Sequence, residues 1–410
     1  MLKLLIIGYV WPEPNSSAAG RRMMQLIKTF QDLNYRITFA SPCEKRDHAV
    51  NLKTLGIDEV IISVNSSSFD AFVKQLEPNV VLFDRFMMEE QFGWRVSENC
   101  PRALRMLDTE DLHGLRKGRS EAYKDEKPFD NSNLLNETFK RELASIYRSD
   151  LSLIISEFEM ALLTQDVKVS IDLLAYLPFL EESVEAKQIK KLPHFEERQH
   201  FITIGNFLHA PNYQSVLYLK KTIWPRIRQQ MPKAQLHVYG AYASQKVIQL
   251  HNESDGFLVK GFAEDACMVM QHAKVCLAPL QFGAGLKGKL IDAMISGTPC
   301  VMSTIAAEGM FGNLEPNGFI TDHTEAFVAQ ALKLYTDESV WKTQQENGFI
   351  VLNSRFEKET HQKAFITRLQ QVQENLEKHR LQNMIGQMLQ HQTLQSTKYM
   401  SKWIEEKNKK

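Results

Sequence analysis

Short apolar runs that end in glycine or a polar turn recur along the chain, and between them apolar residues return at helical spacing. Leu4-Leu5-Ile6-Ile7-Gly8 opens the pattern. No polar residue interrupts it, as expected of a strand buried on both faces of a parallel sheet. Met23, Leu26, Ile27 and Phe30 follow at i, i+3, i+4 and i+7 and mark one face of a helix. Residues 36–40 then read as a second strand. This βαβ unit repeats: 60–63, 80–83, 103–107 and 153–155 are strand-like, with helical patterns such as 69–76 and 135–147 between several of them.

From 181 to 200 the composition turns charged and poor in apolar residues, which places the interdomain linker there. A second series of strand-like runs follows at 201–205, 235–239, 257–259, 275–280, 300–303 and 319–321. The pattern predicts an α/β chain of two doubly wound Rossmann-like domains, 1–190 and 191–355, with a helical portion over 356–410. Ligands of such folds lie outside the carboxyl ends of the strands, here in the cleft between the domains.

Composition narrows the function. The 410 residues carry 49 Lys+Arg against 49 Asp+Glu and are 43% hydrophobic, values that exclude a disordered, collagenous or small disulfide-bonded chain. A net charge of zero provides no global attraction to nucleic acid, so any phosphate site has to be made locally. Five scattered cysteines without a CxxC pair indicate neither a disulfide framework nor a zinc site, and fit a reducing cytoplasm. No run approaches the roughly 18 to 20 apolar residues of a membrane span. The apolar start from Leu2 to Trp11 meets Pro12-Glu13-Pro14 at once and reads as strand one rather than a signal peptide.

The chemistry concentrates in 279–299. A buried strand enters a glycine turn, a helix is expected to begin near Leu286 with Lys287 in its first turn, and Gly297 with Pro299 ends it. The free N–H groups and positive dipole end of that helix form an anion site, and Gly283, Gly285 and Gly288 admit a ligand to the backbone. Lys289 and Asp292, three apart, share a face. Cations for a diphosphate and a carboxylate for ribose hydroxyls suit a sugar nucleotide. Taken alone, the stretch reads better as an ordinary helix with a surface Lys289–Asp292 pair, because glycine-rich strand-to-helix turns are common.

In context, 283–293 resembles the G-A-G-x-x-x-K-x-x-D/E-A motif of the retaining, family-4 type of GT-B glycosyltransferases, and the resemblance extends over nearly the whole chain. Gly205-Asn206, Pro211-Asn212, Trp224-Pro225 and 236–240 resemble the opening of that family's nucleotide domain. Lys260-Gly261-Phe262 resembles its base-contacting loop, and Ala278-Pro279-Leu280 precedes the glycines in the family's order. The resemblance implies that Gly205, Asn206, Gly261, Phe262, Gly283, Ala284, Gly285, Leu286, Lys287 and Asp292 bind the donor, and that Lys289 assists departure of the diphosphate. The family's common pattern of two glutamates separated by seven residues is replaced by Ala284 and Asp292. Asp292 can still reach ribose, whereas the missing first carboxylate leaves the donor sugar open, its contacts passing to N–H groups of 283–286.

In the first half, Ser16 or Ser17 is the expected N-cap of the helix after strand one. Gly20 sits in its first turn, where a phosphate or sugar could approach, and Arg21 and Arg22 are either site charges or a solvated helix face. The 108–116 segment follows a strand's carboxyl end and resembles the family's segment whose histidine reaches the donor sugar. His113 is therefore the candidate catalytic residue of this half. Asp108, Glu110 and Asp111 lack a metal ligand set and read as loop solvation, so no metal is expected.

The stretch 356–376 resembles the GT-B helix that returns to the first domain. Beyond it Met384, Ile385, Met388, Leu389, Tyr399, Met400, Trp403 and Ile404, with Lys398, Lys402, Lys407, Lys409 and Lys410, make an amphipathic tail suited to its own domain, a partner helix or a membrane surface. The resemblance implies a cytoplasmic, metal-independent, retaining transferase without a cofactor other than its nucleoside diphosphate sugar. Its acceptor would be a glycan, lipid-linked or protein hydroxyl, in surface or exopolysaccharide synthesis. The rivals are a nucleotide-sugar epimerase on the same fold and a degenerate binding scaffold.

Overall fold

The structure is a computed structural model that describes residues 1–409, the side chains of 392–395 excepted; Lys410 of the tail lies outside the described residues. The first domain is built on a seven-stranded parallel sheet of β1 (Lys3–Ile7), β2 (Arg36–Ser41), β3 (Asp58–Ile61), β4 (Val80–Asp84), β5 (Leu104–Asp108), β6 (Leu151–Ile154) and β7 (Leu174–Tyr176). Their spatial order is β3-β2-β1-β4-β5-β6-β7. The second sheet has β8 (Gln199–Ile204), β9 (Leu236–Tyr239), β10 (Phe257–Gly261), β11 (Ala273–Ala278), β12 (Cys300–Met302) and β13 (Gly318–Ile320). These run in the order β10-β9-β8-β11-β12-β13, again all parallel.

Alternation explains why β1 is apolar throughout. Leu5 and Ile7 enter the core on one face of the first sheet and Leu4 and Ile6 the core on the other. Each sheet reverses its winding once, between β1 and β4 and between β8 and β11, and a crevice opens at each reversal beyond the strand ends.

Two chain crossings join the halves, and they lie side by side. The Glu181 N–H donates to the Phe356 carbonyl at 2.8 Å and the Lys358 N–H to the Glu181 carbonyl at 3.0 Å. The helix Glu338–Arg355 packs in the second domain through Val351 and Leu352. The next helix, Lys358–Glu374, places Phe365, Leu369 and Val372 in the first-domain core, with Phe365 edge-on to Phe30 at 6.0 Å. Phe365→Ala should destabilise the first domain by about 3 to 5 kcal/mol through lost burial and a residual cavity. The check is the denaturant midpoint of the first-domain transition; an unchanged midpoint would show that this helix does not stabilise that domain.

Candidate active site

The glycine turn after β11 determines where the second-domain helix begins. Gly285 has φ +64° and Lys287 is extended, so the helix runs Gly288–Ile295 and Lys287 is its N-cap, not a first-turn residue. The Lys287 ammonium turns back onto the loop and donates to the Ala284 carbonyl at 3.1 Å and to that of Gly285. Lys289 and Asp292 do not pair with each other. Lys289 Nζ donates to Asn212 Oδ1 at 2.9 Å, and the Asn212 amide in turn donates to the Asn206 carbonyl at 2.9 Å and fills the space beside Gly205. Asp292 is buried against the guanidinium of Arg21 from the other domain, whose Nη1 lies 3.8 Å from Glu181.

The first-domain wall starts at the loop after β1. Ser17 is the N-cap of the helix Ala18–Asp32 and accepts from the Gly20 N–H at 3.0 Å. A Cβ on Gly20 would meet the Glu13 backbone at 2.4 Å, so the room beside this glycine is filled by the loop itself. Arg22 is buried and paired with Asp108 at 2.9 Å. Arg85, in the left-handed region at φ +72°, lies over Tyr9 and pairs with Glu110 at 2.6 Å. Neither the arginines nor the acidic segment is a solvated surface, which corrects that reading of 108–111. Asp108 is wholly buried, and Asp111 is held by Arg116 at 2.9 Å. Unsolvated carboxylates require such partners.

His113 begins the helix His113–Lys124, with its ring edge-on to Phe86 and Nε2 3.3 Å from Asp111 Oδ1. The buried Glu142 carboxylate accepts from the N–H groups of His113 and Gly114 at 2.9 and 3.0 Å and so fixes the helix start. Burial pushes the His113 imidazole down to about 3, despite Asp111, and does the same to His209. Both rings are neutral at ordinary pH. Burial also lowers Lys287 and Lys289 to about 8 and raises Glu110 and Glu142 to about 8.

The two walls meet through specific contacts. Arg119 donates to the Gly283 carbonyl at 2.9 Å and grips Glu308 at 2.8 and 2.7 Å. Arg116 Nη1 lies 2.7 Å from His209 Nε2, and the Tyr242 hydroxyl donates to Glu13 at 2.8 Å. Glu159 Oε1 accepts from Leu112 N–H at 3.0 Å and Gly285 N–H at 2.8 Å. Between the walls remains a cleft of about 920 Å³ lined by Gly20, Arg21, His113, Arg116, Gly205, Asn206, Phe262, Gly283, Ala284, Leu286, Lys287, Lys289 and Asp292. Gly261 and Gly285 do not line it. A Cβ on the former, at φ +78°, would meet nothing within 4 Å, and the Cβ position of the latter is taken by Asp111. Among the described residues no group of three His, Cys, Asp or Glu side chains is placed to hold a metal ion. Sequence reasoning missed Glu159, Glu142, Arg119 and Arg85. Only Arg85 and Glu159 carry a local signal, since each follows a strand's carboxyl end.

Residues 198–337 match the family model described as glycosyl transferases group 1. No curated protein matches the chain by sequence. Solved structures are similar in fold at low identity. Anabaena HepE, in complex with UDP and glucose, is 15% identical with a TM-score of 0.67, over 90% of this chain and 100% of that one. Sucrose-phosphate synthase from Thermosynechococcus elongatus is 15% identical with a TM-score of 0.65, over 91% and 99%. An S. aureus TarM mutant, in complex with fondaparinux, alpha-GlcNAc-glycerol and UDP, is 13% identical with a TM-score of 0.56, over 73% of this chain and 57% of TarM. The fold is GT-B.

Gly285→Ala tests the closeness of the two walls. Its Cβ would lie 2.7 Å from Asp111 Cβ at a φ of +64°, so the domains should part and stability fall by about 1 to 3 kcal/mol. Solution scattering should show a larger radius of gyration, and melting should begin earlier; wild-type values in both would mean that the walls do not touch in solution.

Proposed function

We propose that the protein is a retaining, metal-independent glycosyltransferase that moves a sugar from a nucleoside diphosphate sugar to an acceptor hydroxyl in surface or exopolysaccharide synthesis, at the cytoplasmic side. The observation that carries this reading is the convergence of Lys287, Lys289, Asp292 and the N-terminus of the Gly288–Ile295 helix on one interdomain cleft, opposite His113. The family match over 198–337, which includes the residues of this helix but not His113, and the UDP-bound GT-B neighbours support it.

In this reading the diphosphate lies at the helix N-terminus beside Lys289, where N–H groups and an ammonium stabilise the charge that develops as the sugar leaves. Lys287, bound to the loop carbonyls, holds the turn in shape. The ribose hydroxyls replace the Arg21 guanidinium at Asp292. His113 faces the sugar from the other wall and, being neutral, donates or accepts a hydrogen bond without bringing a charge near the developing oxocarbenium ion. Enclosure in the cleft excludes water and favours transfer over hydrolysis.

Lys289→Ala and Asp292→Ala should each weaken UDP binding roughly ten- to a hundredfold, the loss of one charge-assisted contact at about 1.5 to 3 kcal/mol. Because the lysines are depressed to about 8 in the free site, an anion favours their protonated forms. Wild-type affinity should therefore fall as pH rises through about 8, with proton uptake on binding. Calorimetry in two buffers of different ionisation enthalpy measures both effects, and unchanged affinity in both variants would remove this helix from the site.

His113→Ala should lower kcat strongly while UDP affinity stays within a few-fold, the pattern of a contact made mainly in the transition state. His113→Asn should retain more activity. Both substitutions, assayed with and without EDTA, settle the role of the ring and of metal. A lowered melting temperature with normal turnover per folded molecule would make His113 structural, and abolition by chelator with rescue by Mg²⁺ would overturn metal independence.

A further inference from the structure

The C-terminal helix Met384–Asn408 presents two different faces. One is fastened to the first domain by polar contacts: Gln390 donates to the Arg148 carbonyl at 3.0 Å, Ser401 to Asn65 at 2.9 Å, and Glu405 accepts from Ser67 at 2.8 Å. Gly386 lets the helix approach the Tyr147 carbonyl. At about 100° per residue these positions occupy an arc of roughly 100°.

The opposite face is apolar and uncovered. Met384, Ile385, Met388, Tyr399, Met400 and Trp403 are each at least half exposed, and they fall within an arc of roughly 160° on the same wheel. Lysines border it: Lys402 and Lys409 along one edge, together with Lys398, which is paired with Glu98 of the first domain at 2.5 Å, and Lys407 along the other, its ammonium 5.2 Å from the Trp403 ring centre. Glu406, the acidic residue within the arc, accepts from Lys409 at 3.1 Å. Across 384–409, Lys398, Lys402, Lys407 and Lys409 stand against Glu405 and Glu406, a net of +2 on a chain whose total is zero. None of these residues lines the cleft.

We infer that this face docks the protein in the plane of an anionic lipid bilayer. An apolar sector bordered on both edges by lysines, with Trp and Tyr among its members, suits the boundary between acyl chains and negative headgroups. There the rings and thioethers bury while the ammonium groups reach the phosphates. The helix lies on the membrane and does not cross it, since among the described residues no helix is long and apolar enough to span. An uncharged protein face would match the apolar sector but leave Lys402 and Lys407 without the counter-charge that anionic headgroups supply.

The test uses the full chain, unsubstituted and as Met388→Glu/Trp403→Glu, with vesicles of phosphatidylcholine alone or with about 30% phosphatidylglycerol. Trp403 is 60% exposed whereas Trp11, Trp94, Trp224 and Trp341 are buried, so a change in tryptophan emission on lipid binding reports this face. The unsubstituted protein should co-sediment with the anionic vesicles with a blue-shifted emission, at least tenfold more weakly with neutral ones, and more weakly as salt rises. The double substitution should lower anionic binding at least tenfold at an unchanged melting temperature. Absence of co-sedimentation by the unsubstituted protein, or equal binding by both proteins, overturns the inference. So does a concentration-dependent dimer in light scattering that the double substitution abolishes, which would make the face a contact between copies of this chain. Should the double substitution fold poorly, emission and co-sedimentation of the unsubstituted protein still decide.

Discussion

A single buried carboxylate sets the geometry on which the rest depends. Glu159 has no exposure, and one of its oxygens accepts an N–H from each wall of the cleft, Leu112 just before the His113 helix and Gly285 in the glycine turn. Removing it would strand two buried N–H donors, one on each wall, beside the contacts that Arg119 and Asp111 make to the same glycine turn. Burial holds the Glu159 carboxyl up at about 7. The folded state thus takes up a proton that the unfolded chain has released above its ordinary 4.5, and ionisation over that interval works against the closed arrangement.

The cleft is consequently less anionic than its sequence suggests. Burial raises Glu110 and Glu142 to about 8 as well, so these two carboxyl groups of the first-domain wall are largely neutral near pH 7 and Glu159 is about half so. Asp108 is paired at short range with Arg22, and Asp111, which Arg116 holds below the usual carboxylate range despite its burial, lies 2.9 Å from that guanidinium. A chain of zero net charge can in this way present an anion with lysines and a helix N-terminus at one place, without a long-range field.

What was legible in the sequence was what obeys a local rule. Strands buried on both faces have to be nearly continuously apolar, and the runs beginning at Leu4, Val80 and Phe201, the last with Thr203 in it, announce themselves. β7, three residues at the sheet's edge, is too short to produce a pattern. The glycine turn and its helix were legible because left-handed backbone selects glycine, although the helix begins at Gly288, since the Lys287 amine is drawn back onto the loop. The residues that join the walls were not legible. Arg119 meets Glu308 and Arg21 meets Asp292 across 189 and 271 positions of sequence, and no periodicity encodes a contact between domains. The arginines at 21 and 22 looked alike, yet one reaches across the cleft and the other is locked within its own domain.

That difference ties the site to the crossing between the domains. Arg21 faces Asp292 and also Glu181, and the Glu181 backbone is paired with Phe356 and Lys358 where the chain passes between the halves. Gln25, one turn further along the same helix, donates to the Leu180 carbonyl at 2.8 Å and to the Glu181 carboxylate at 3.1 Å. The helix Ala18–Asp32 thus rests its first turn in the cleft and its second on the crossing. A rotation of either domain about the paired segments at 181 and 356 must move Arg21 relative to Asp292. Conversely, anything that takes Arg21's place at Asp292 leaves its half-buried guanidinium, 23% exposed at the cleft, facing Glu181 alone, and favours a shift of the helix or the crossing that re-pairs it. The placement of one arginine therefore makes occupancy of the cleft and the angle between the domains parts of the same equilibrium.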